Sequence, residues 1–189
     1  MMNINSIVSP QASLGEFFIN ETYYVNETAM FVCNSKGGPN NTYQWQANGT
    51  DLDGEISQNL TRFNVTSRTG GLYTCVVSNE GGNHSASTFM FVYPYIVIEP
   101  PGSVTVSIES SVLLVCYAES FPSPAYLWFR ADDGSIREGI LTNGSSLSIS
   151  RIQDRDQGGY YCNTSARGIT VQSQVAIITG MIIIIFTHD

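Results

Sequence analysis

Reactive chemistry in this 189-residue chain would have to come from two histidines, four cysteines and sixteen carboxylates. His84 and His188 stand far apart, and neither has a local acid or nucleophile at the spacing of a triad partner. No G-x-S-x-G elbow and no phosphate-cradling glycine loop occurs, so the sequence offers no nucleophile with a neighbouring base. The stretch "DLDGE" (51–55) alternates Asp51, Asp53 and Glu55, oxygen ligands of the kind calcium takes. The twelve-residue loop that completes such a site is missing, and a polar turn is the expectation. No catalytic residue, no cofactor and no bound metal is expected.

The cysteines point elsewhere. Cys33, Cys75, Cys116 and Cys162 form no C-x-x-C pair and no zinc-finger spacing with a histidine. Four widely spread cysteines fit two disulfides made in an oxidising compartment, and spacing alone leaves three pairings open. A second signal agrees. Asn20, Asn26, Asn40, Asn48, Asn59, Asn64, Asn83, Asn143 and Asn163 each open an N-x-[ST] triplet without an intervening proline. That is nine of fourteen asparagines, where Ser and Thr at this abundance give roughly three by chance. The expected location is extracellular or at the cell surface, with secretion as the alternative. The opening "MMNINSIVSPQASLGEFF" has no basic n-region and no continuous apolar core. A leader is therefore expected to have been removed or to lie upstream.

Charged residues are only 13 % of the chain, the net charge is −8, and Lys36 is its one lysine. No basic stripe exists to neutralise phosphates, which argues against nucleic acid and anionic membrane surfaces. Abundant Ser, Thr, Asn and Gly, without long stretches of Leu, Ala, Glu and Lys, indicate an all-β protein of short strands and polar turns. The length suits one large domain or two of about 90–100 residues.

An internal repeat decides between them. Trp45 follows Cys33 by twelve residues and Trp128 follows Cys116 by twelve, with 83 residues between the copies. "TGGLYTC" (69–75) and "DQGGYYC" (156–162) each carry glycine four before and tyrosine two before the second cysteine. "LSISRI" (147–152) alternates as a half-buried strand does, and "LTRFNV" (60–65) holds the same place in the first copy. The copies divide near "VYPYIVI" (92–98), giving expected domains 4–93 and 95–179 and an apolar tail, 180–189.

This combination resembles the immunoglobulin superfamily over nearly the whole chain. The pattern L-x-I-x-x-I-x-x-x-D-x-G-x-Y-x-C is matched at Leu147, Ile149, Ile152, Asp156, Gly158, Tyr160 and Cys162. The resemblance implies two tandem immunoglobulin-like β-sandwiches stapled by Cys33–Cys75 and Cys116–Cys162, with Trp45 and Trp128 packed on the disulfides. It also implies that Tyr73 and Tyr160 bond back across the turn before their strand, where glycine relieves the backbone. Short intervals between cysteines leave little room for the extra strands of variable-type domains, so intermediate-set or constant-2-like domains fit. The first copy departs twice, with Thr69 in place of Asp156 and Arg62 in place of Ile149. A buried arginine is costly without a partner, so that strand is expected to bulge and turn Phe63 inward.

The implied function is non-enzymatic protein–protein recognition by the extracellular part of an adhesion molecule or receptor. The alternatives are the extracellular fragment of a receptor kinase or phosphatase, and an intracellular load-bearing protein. In the first copy, Asn20 and Asn26 are expected on the opening strands, Asn59 and Asn64 on or beside the strand near 60–65. Asn40, Asn48 and Asn83 are expected in loops, as is His84. The strands around 44–47, 74–78 and 87–92 then carry no sequon. With Trp45, Tyr73, Cys75, Val77, Met90 and Val92 inward, Gln44, Gln46, Thr74, Val76, Ser78, Phe89 and Phe91 point outward. Two exposed aromatics would suit a protein ligand or a homophilic partner, although a slip of one residue would bury them. Residues 169–179 are expected to form the last strand, with Val175 and Ile177 inward. Even taken as a helix, 175–186 reaches about 18 Å against a hydrocarbon core of about 30 Å. Membrane attachment is expected only if the chain continues past Asp189, the tail being otherwise a truncated span, an altered end or more of that strand.

Overall fold

Alternating apolar and polar residues between turns rich in Gly, Asn and Ser fold here as strands, broken among the described residues by a short 3-10 helix at Asp154–Asp156. The computed structural model describes residues 8–15 and 21–181, and the chain divides into two units, 1–93 and 94–189.

The first unit contains β1 (Gln11–Leu14), β2 (Thr22–Tyr23), β3 (Ala29–Lys36), β4 (Thr42–Ala47), β5 (Thr50–Asp51), β6 (Asn59–Arg62) and β7 (Gly71–Asn79). The opening part of β8 (Gly82–Ile98) completes it. Two sheets result, ordered β1-β3-β6 and β8-β7-β4-β5, with β2 parallel to β8. The second unit takes the end of β8, then β9 (Ser103–Ser107), β10 (Val112–Val115), β11 (Tyr117–Phe121), β12 (Ala125–Arg130) and β13 (Leu141–Asn143). It continues through β14 (Ser146–Ile149), β15 (Gly158–Ala166), β16 (Ile169–Gln172) and β17 (Ala176–Met181). Its sheets are β10-β14-β13 and β12-β15-β17-β9, with β16 beside β15 and β11 beside β8. Both units are all-β sandwiches.

A disulfide crosses each core: Cys33 to Cys75 with Cα atoms 6.2 Å apart, and Cys116 to Cys162 with Cα atoms 6.4 Å apart. Phe31 stacks on Tyr73 with ring centroids 5.0 Å apart and lies 6.1 Å from Trp45. Each buried indole keeps its N–H satisfied, Trp45 donating to the Ser57 carbonyl at 3.0 Å and Trp128 to that of Gly144 at 3.3 Å.

Four expectations fail. Strand β6 does not bulge. It pairs in unbroken register with β3, Leu60 opposite Phe31 and Arg62 opposite Ala29. Leu60 and Val65 fill the core, while Phe63 is 72 % exposed. The small Ala29 leaves room for the Arg62 side chain, which lies close enough to the Tyr73 phenol to act on its ionisation. The last strand is shifted by one: Ala176 and Ile178 are buried, and Ile177 faces out. The cause is an interruption at 173–175, where buried Ser173 accepts the Cys162 N–H at 3.0 Å and resets the alternation before β17 begins. β17 then runs on to Met181, opposite Ser107 of β9, and 182–189 lie outside the described residues. Finally, Asn79 pairs with Gly82, so a two-residue turn closes the β7–β8 hairpin. Asn83 and His84 consequently lie in β8 and not in a loop, while Asn26 sits in a turn with φ 69° instead of on a strand.

Leu60→Ala should lower the stability of the first unit by about 2–5 kcal/mol in urea unfolding. Phe63→Ser should change it by less than about 0.5 kcal/mol. The reverse order would restore the bulged strand.

Candidate functional site

The residues that the repeat singles out converge on one corner of each sandwich. Tyr73 donates its hydroxyl proton to the Thr69 carbonyl at 2.7 Å, and Tyr160 donates to the Asp156 carbonyl at 2.9 Å. In the second unit the buried Asp156 carboxylate accepts the Gln153 N–H at 2.9 Å and an Nη2–H of Arg137 at 2.7 Å, while Arg137 Nε–H donates to its other oxygen. Thr69 reproduces the turn bond but not the ion pair: its Oγ1 accepts the Thr66 N–H and donates to the Thr66 carbonyl, both at 2.9 Å. A hydroxyl therefore suffices to close the turn.

Arginines back both corners from different strands. Arg130 of β12 donates to the carbonyls of Arg155 and Gln157 at 2.8 Å, pairs with Asp132, and sets its guanidinium 5.7 Å from the Tyr160 ring centre. Gly158, at φ 131°, is needed twice over, since an added Cβ would be strained and would press on Arg130 Nη2 at 3.2 Å. Gly71 plays the same part against the Asn48 amide in the first unit. Burial raises the Tyr73 and Tyr160 pKa values, and the nearby Arg62 and Arg130 pull them partly back. Asp156 is held below the ordinary carboxylate value, first by the hydrogen bond from Arg137 and further by the Gln153 N–H, against the opposing effect of burial.

The remaining reactive residues stay apart. His84 Nδ1 accepts the Ala12 N–H at 2.9 Å, and Asp51 accepts from Gln46 Nε2 at 2.8 Å. His188 and Asn20 lie outside the described residues, among which no three His, Cys, Asp or Glu gather as metal ligands.

The outward face of β4, β7 and β8 has rungs Gln44–Val76–Ser85 and Gln46–Thr74–Ser87, followed by Leu72–Phe89. Gln44 Nε2 donates to the Trp45 and Leu52 carbonyls at 2.9 Å, and Thr74 and Ser87 share a hydroxyl bond at 2.8 Å. The aromatic pair is not doubly exposed. Phe89 is 42 % exposed, but Phe91 is only 9 % exposed, with β2 paired beside it and Thr22 opposite. The two rings stack at 5.5 Å, so Phe91 supports Phe89 from below. Asn83 shares the outward side of β8 with Ser85, Ser87 and Phe89, so this face carries a sequon at one end after all. Asn59 opens β6, Asn40, Asn48 and Asn64 sit in bends or turns with φ 50–63°, and Asn143 and Asn163 lie on β13 and β15. Sequence reasoning passed over the outer sheet of the second unit, where Leu127 is 64 % exposed and Phe129 stacks on Tyr161 at 5.4 Å. The signal was present in "AYLWFR", since an inward Trp128 sends both of its neighbours outward.

The family model described as immunoglobulin domain matches residues 17–79 and 94–165. The chain belongs to the immunoglobulin superfamily. Two relatives align along most of it. Probable oxidoreductase PXDNL of Homo sapiens is 28 % identical over 166 residues, covering 80 % of this chain and 11 % of that protein. Neural cell adhesion molecule 1 of Mus musculus is 26 % identical over 180 residues, covering 84 % and 16 %. The chain thus spans about a tenth of the length of the first curated relatives it matches. A solved titin tandem superposes with a TM-score of 0.67 at 20 % identity, over 92 % of this chain and 99 % of that one, a likeness of fold alone.

Because the folded-state pKa of Asp156 is depressed, its contribution is complete above the unfolded value of 3.8 and is lost as pH falls through the lower folded value. Acid unfolding of this immunoglobulin pair should therefore show a component below about pH 4 that Asp156→Asn removes. The same variant should lose about 2–3 kcal/mol at pH 7. An unchanged acid profile would show that the Arg137–Asp156 pair contributes nothing.

Proposed function

We propose that this tandem is an extracellular protein-recognition unit of the cell-adhesion kind, acting by surface contact and not by catalysis. One observation carries the reading. The residues with reactive side chains at the two corners are already bonded inside the fold: Tyr73 and Tyr160 to carbonyls, Asp156 to Arg137, and Arg130 to the turn before β15. The outward surface of the sheets is available to another molecule. Two disulfides and nine sequons support an oxidising, glycosylating compartment. The relative named neural cell adhesion molecule 1 supports adhesion as the kind of recognition.

The contact surface is the outward face of β4, β7 and β8. Phe89 is its anchor, flanked by the polar rungs Gln46–Thr74–Ser87 and Gln44–Val76–Ser85, whose amides and Thr74 and Ser87 hydroxyls are held in place by bonds within the domain. An aromatic anchor inside a polar surround is the arrangement expected of a protein contact, with a second copy or a different protein as partner. The relative named an oxidoreductase supports a second reading, in which the same tandem is the binding portion of a longer protein whose chemistry lies elsewhere.

Beads coated with the secreted tandem should aggregate with one another or bind intact cells. Phe89→Ser combined with Val76→Ser should weaken that binding at least about tenfold, the scale of a hot-spot contact, while urea unfolding stays unchanged. Full binding by the double variant would remove this face from the proposal. Absence of any binding by the native tandem would remove recognition itself.

A further inference from the structure

The outward side of β12, β15 and β17 gathers large apolar groups. Leu127 and Ile177 are exposed there beside the stacked Phe129 and Tyr161, and Ala131 and Val175 crowd over Gly159 between them. An apolar surface of this kind on a domain in solution marks something that covers it. One residue of the face itself supplies the cover. Asn163 stands opposite Leu127 and two residues beyond Tyr161 on β15, so all three side chains share the outward side. It opens the triplet Asn163-Thr164-Ser165, and its Oδ1 is buried without a hydrogen-bond partner among the described residues.

We infer that Asn163 carries an N-linked oligosaccharide that lies over this face and shields it. The linkage forms between Asn163 Nδ2, which loses one proton, and the anomeric carbon of the first N-acetylhexosamine. The pyrophosphate of a lipid-linked oligosaccharide donor departs as the leaving group. The C–H face of the sugar packs on Leu127 and on the negative face of the Tyr161 ring, and its hydroxyls turn to water. A sugar donor beside Oδ1 gives that buried acceptor the bond it lacks in the bare protein.

The opposite sheet repeats the arrangement. Asn143 shares one side of β13 with the exposed Leu141, and Leu141 and Leu113 flank Ser148 of β14. Asn83 provides the contrast, since its neighbours on the outward side of the first unit are Ser78 and Ser85. The sequons of the second unit thus coincide with apolar surface, and the one on the proposed recognition face does not. This inference rests on the extracellular part of the proposed function. It assigns the outer sheet of the second unit to a glycan and not to a protein partner.

The test begins with the whole chain secreted from glycosylating cells. The peptide 156–167, released by cleavage after Arg155 and Arg167, should show glycosidase-dependent conversion of Asn163 to aspartate in heavy-oxygen water. Asn163→Gln and Ser165→Ala should each raise binding of an apolar-surface dye several-fold and bring on self-association. Enzymatic removal of the glycan from the folded native protein should do the same, and adding Leu127→Ser should reverse it. Occupancy of other sequons with Asn163 unmodified would overturn the inference alone. So would an occupied Asn163 whose removal changes neither dye binding nor association. A chain that is never secreted and bears no sugar would instead overturn the extracellular reading.

Discussion

The bond between the two cysteines of each sandwich is the constraint on which the rest depends. It fixes one residue of each sheet at a Cα separation of just over 6 Å, so the tryptophan and tyrosine beside it have one place to go. Closing loops with sequence separations of 42 and 46 removes roughly 4 kcal/mol worth of freedom from each unfolded unit in the chain-entropy account. With the centre held, the tyrosine hydroxyl reaches the turn behind it, and the turn admits either an aspartate with an arginine partner or a threonine. The two units solve the same corner with different side chains. The hydroxyl-to-carbonyl bond is therefore the shared requirement, and the ion pair is an addition found in the second unit.

Much of this architecture was legible in the residues. The doubled Cys–Trp–Tyr spacing pointed to two sandwiches, and strict alternation around Trp45, Cys75 and Met90 placed the inward residues of the first unit correctly. What escaped were phase shifts and neighbours contributed by distant chain. Ser173 interrupts the last strand and moves Ile177 to the surface, a change set by a side-chain bond to Cys162 that no local pattern announces. Phe91 lies two residues beyond Phe89 as alternation requires, yet it is buried, stacked on Phe89 and beside β2, a strand drawn from almost seventy residues away in sequence. Arg62 looked costly in an inward position because the sequence does not reveal that Ala29 lies opposite and Tyr73 nearby.

The outward surfaces of the two units differ in character. The first presents amide and hydroxyl groups around one supported aromatic ring. The second presents leucine, isoleucine and stacked aromatics, with a sequon set among them. Alternation places both patterns on the outside with equal ease, because register follows from the inward residues and the turns. The outward ones are free to take a character that serves contact or concealment.

The central claim is that the corner residues build the protein while its faces act. The most direct measurement compares binding per folded molecule in the tandem carrying Tyr160→Phe and Asp156→Asn, at a temperature where it remains folded. The account predicts an earlier unfolding midpoint with bead or cell binding unchanged. Loss of binding with the unfolding midpoint unmoved would contradict it.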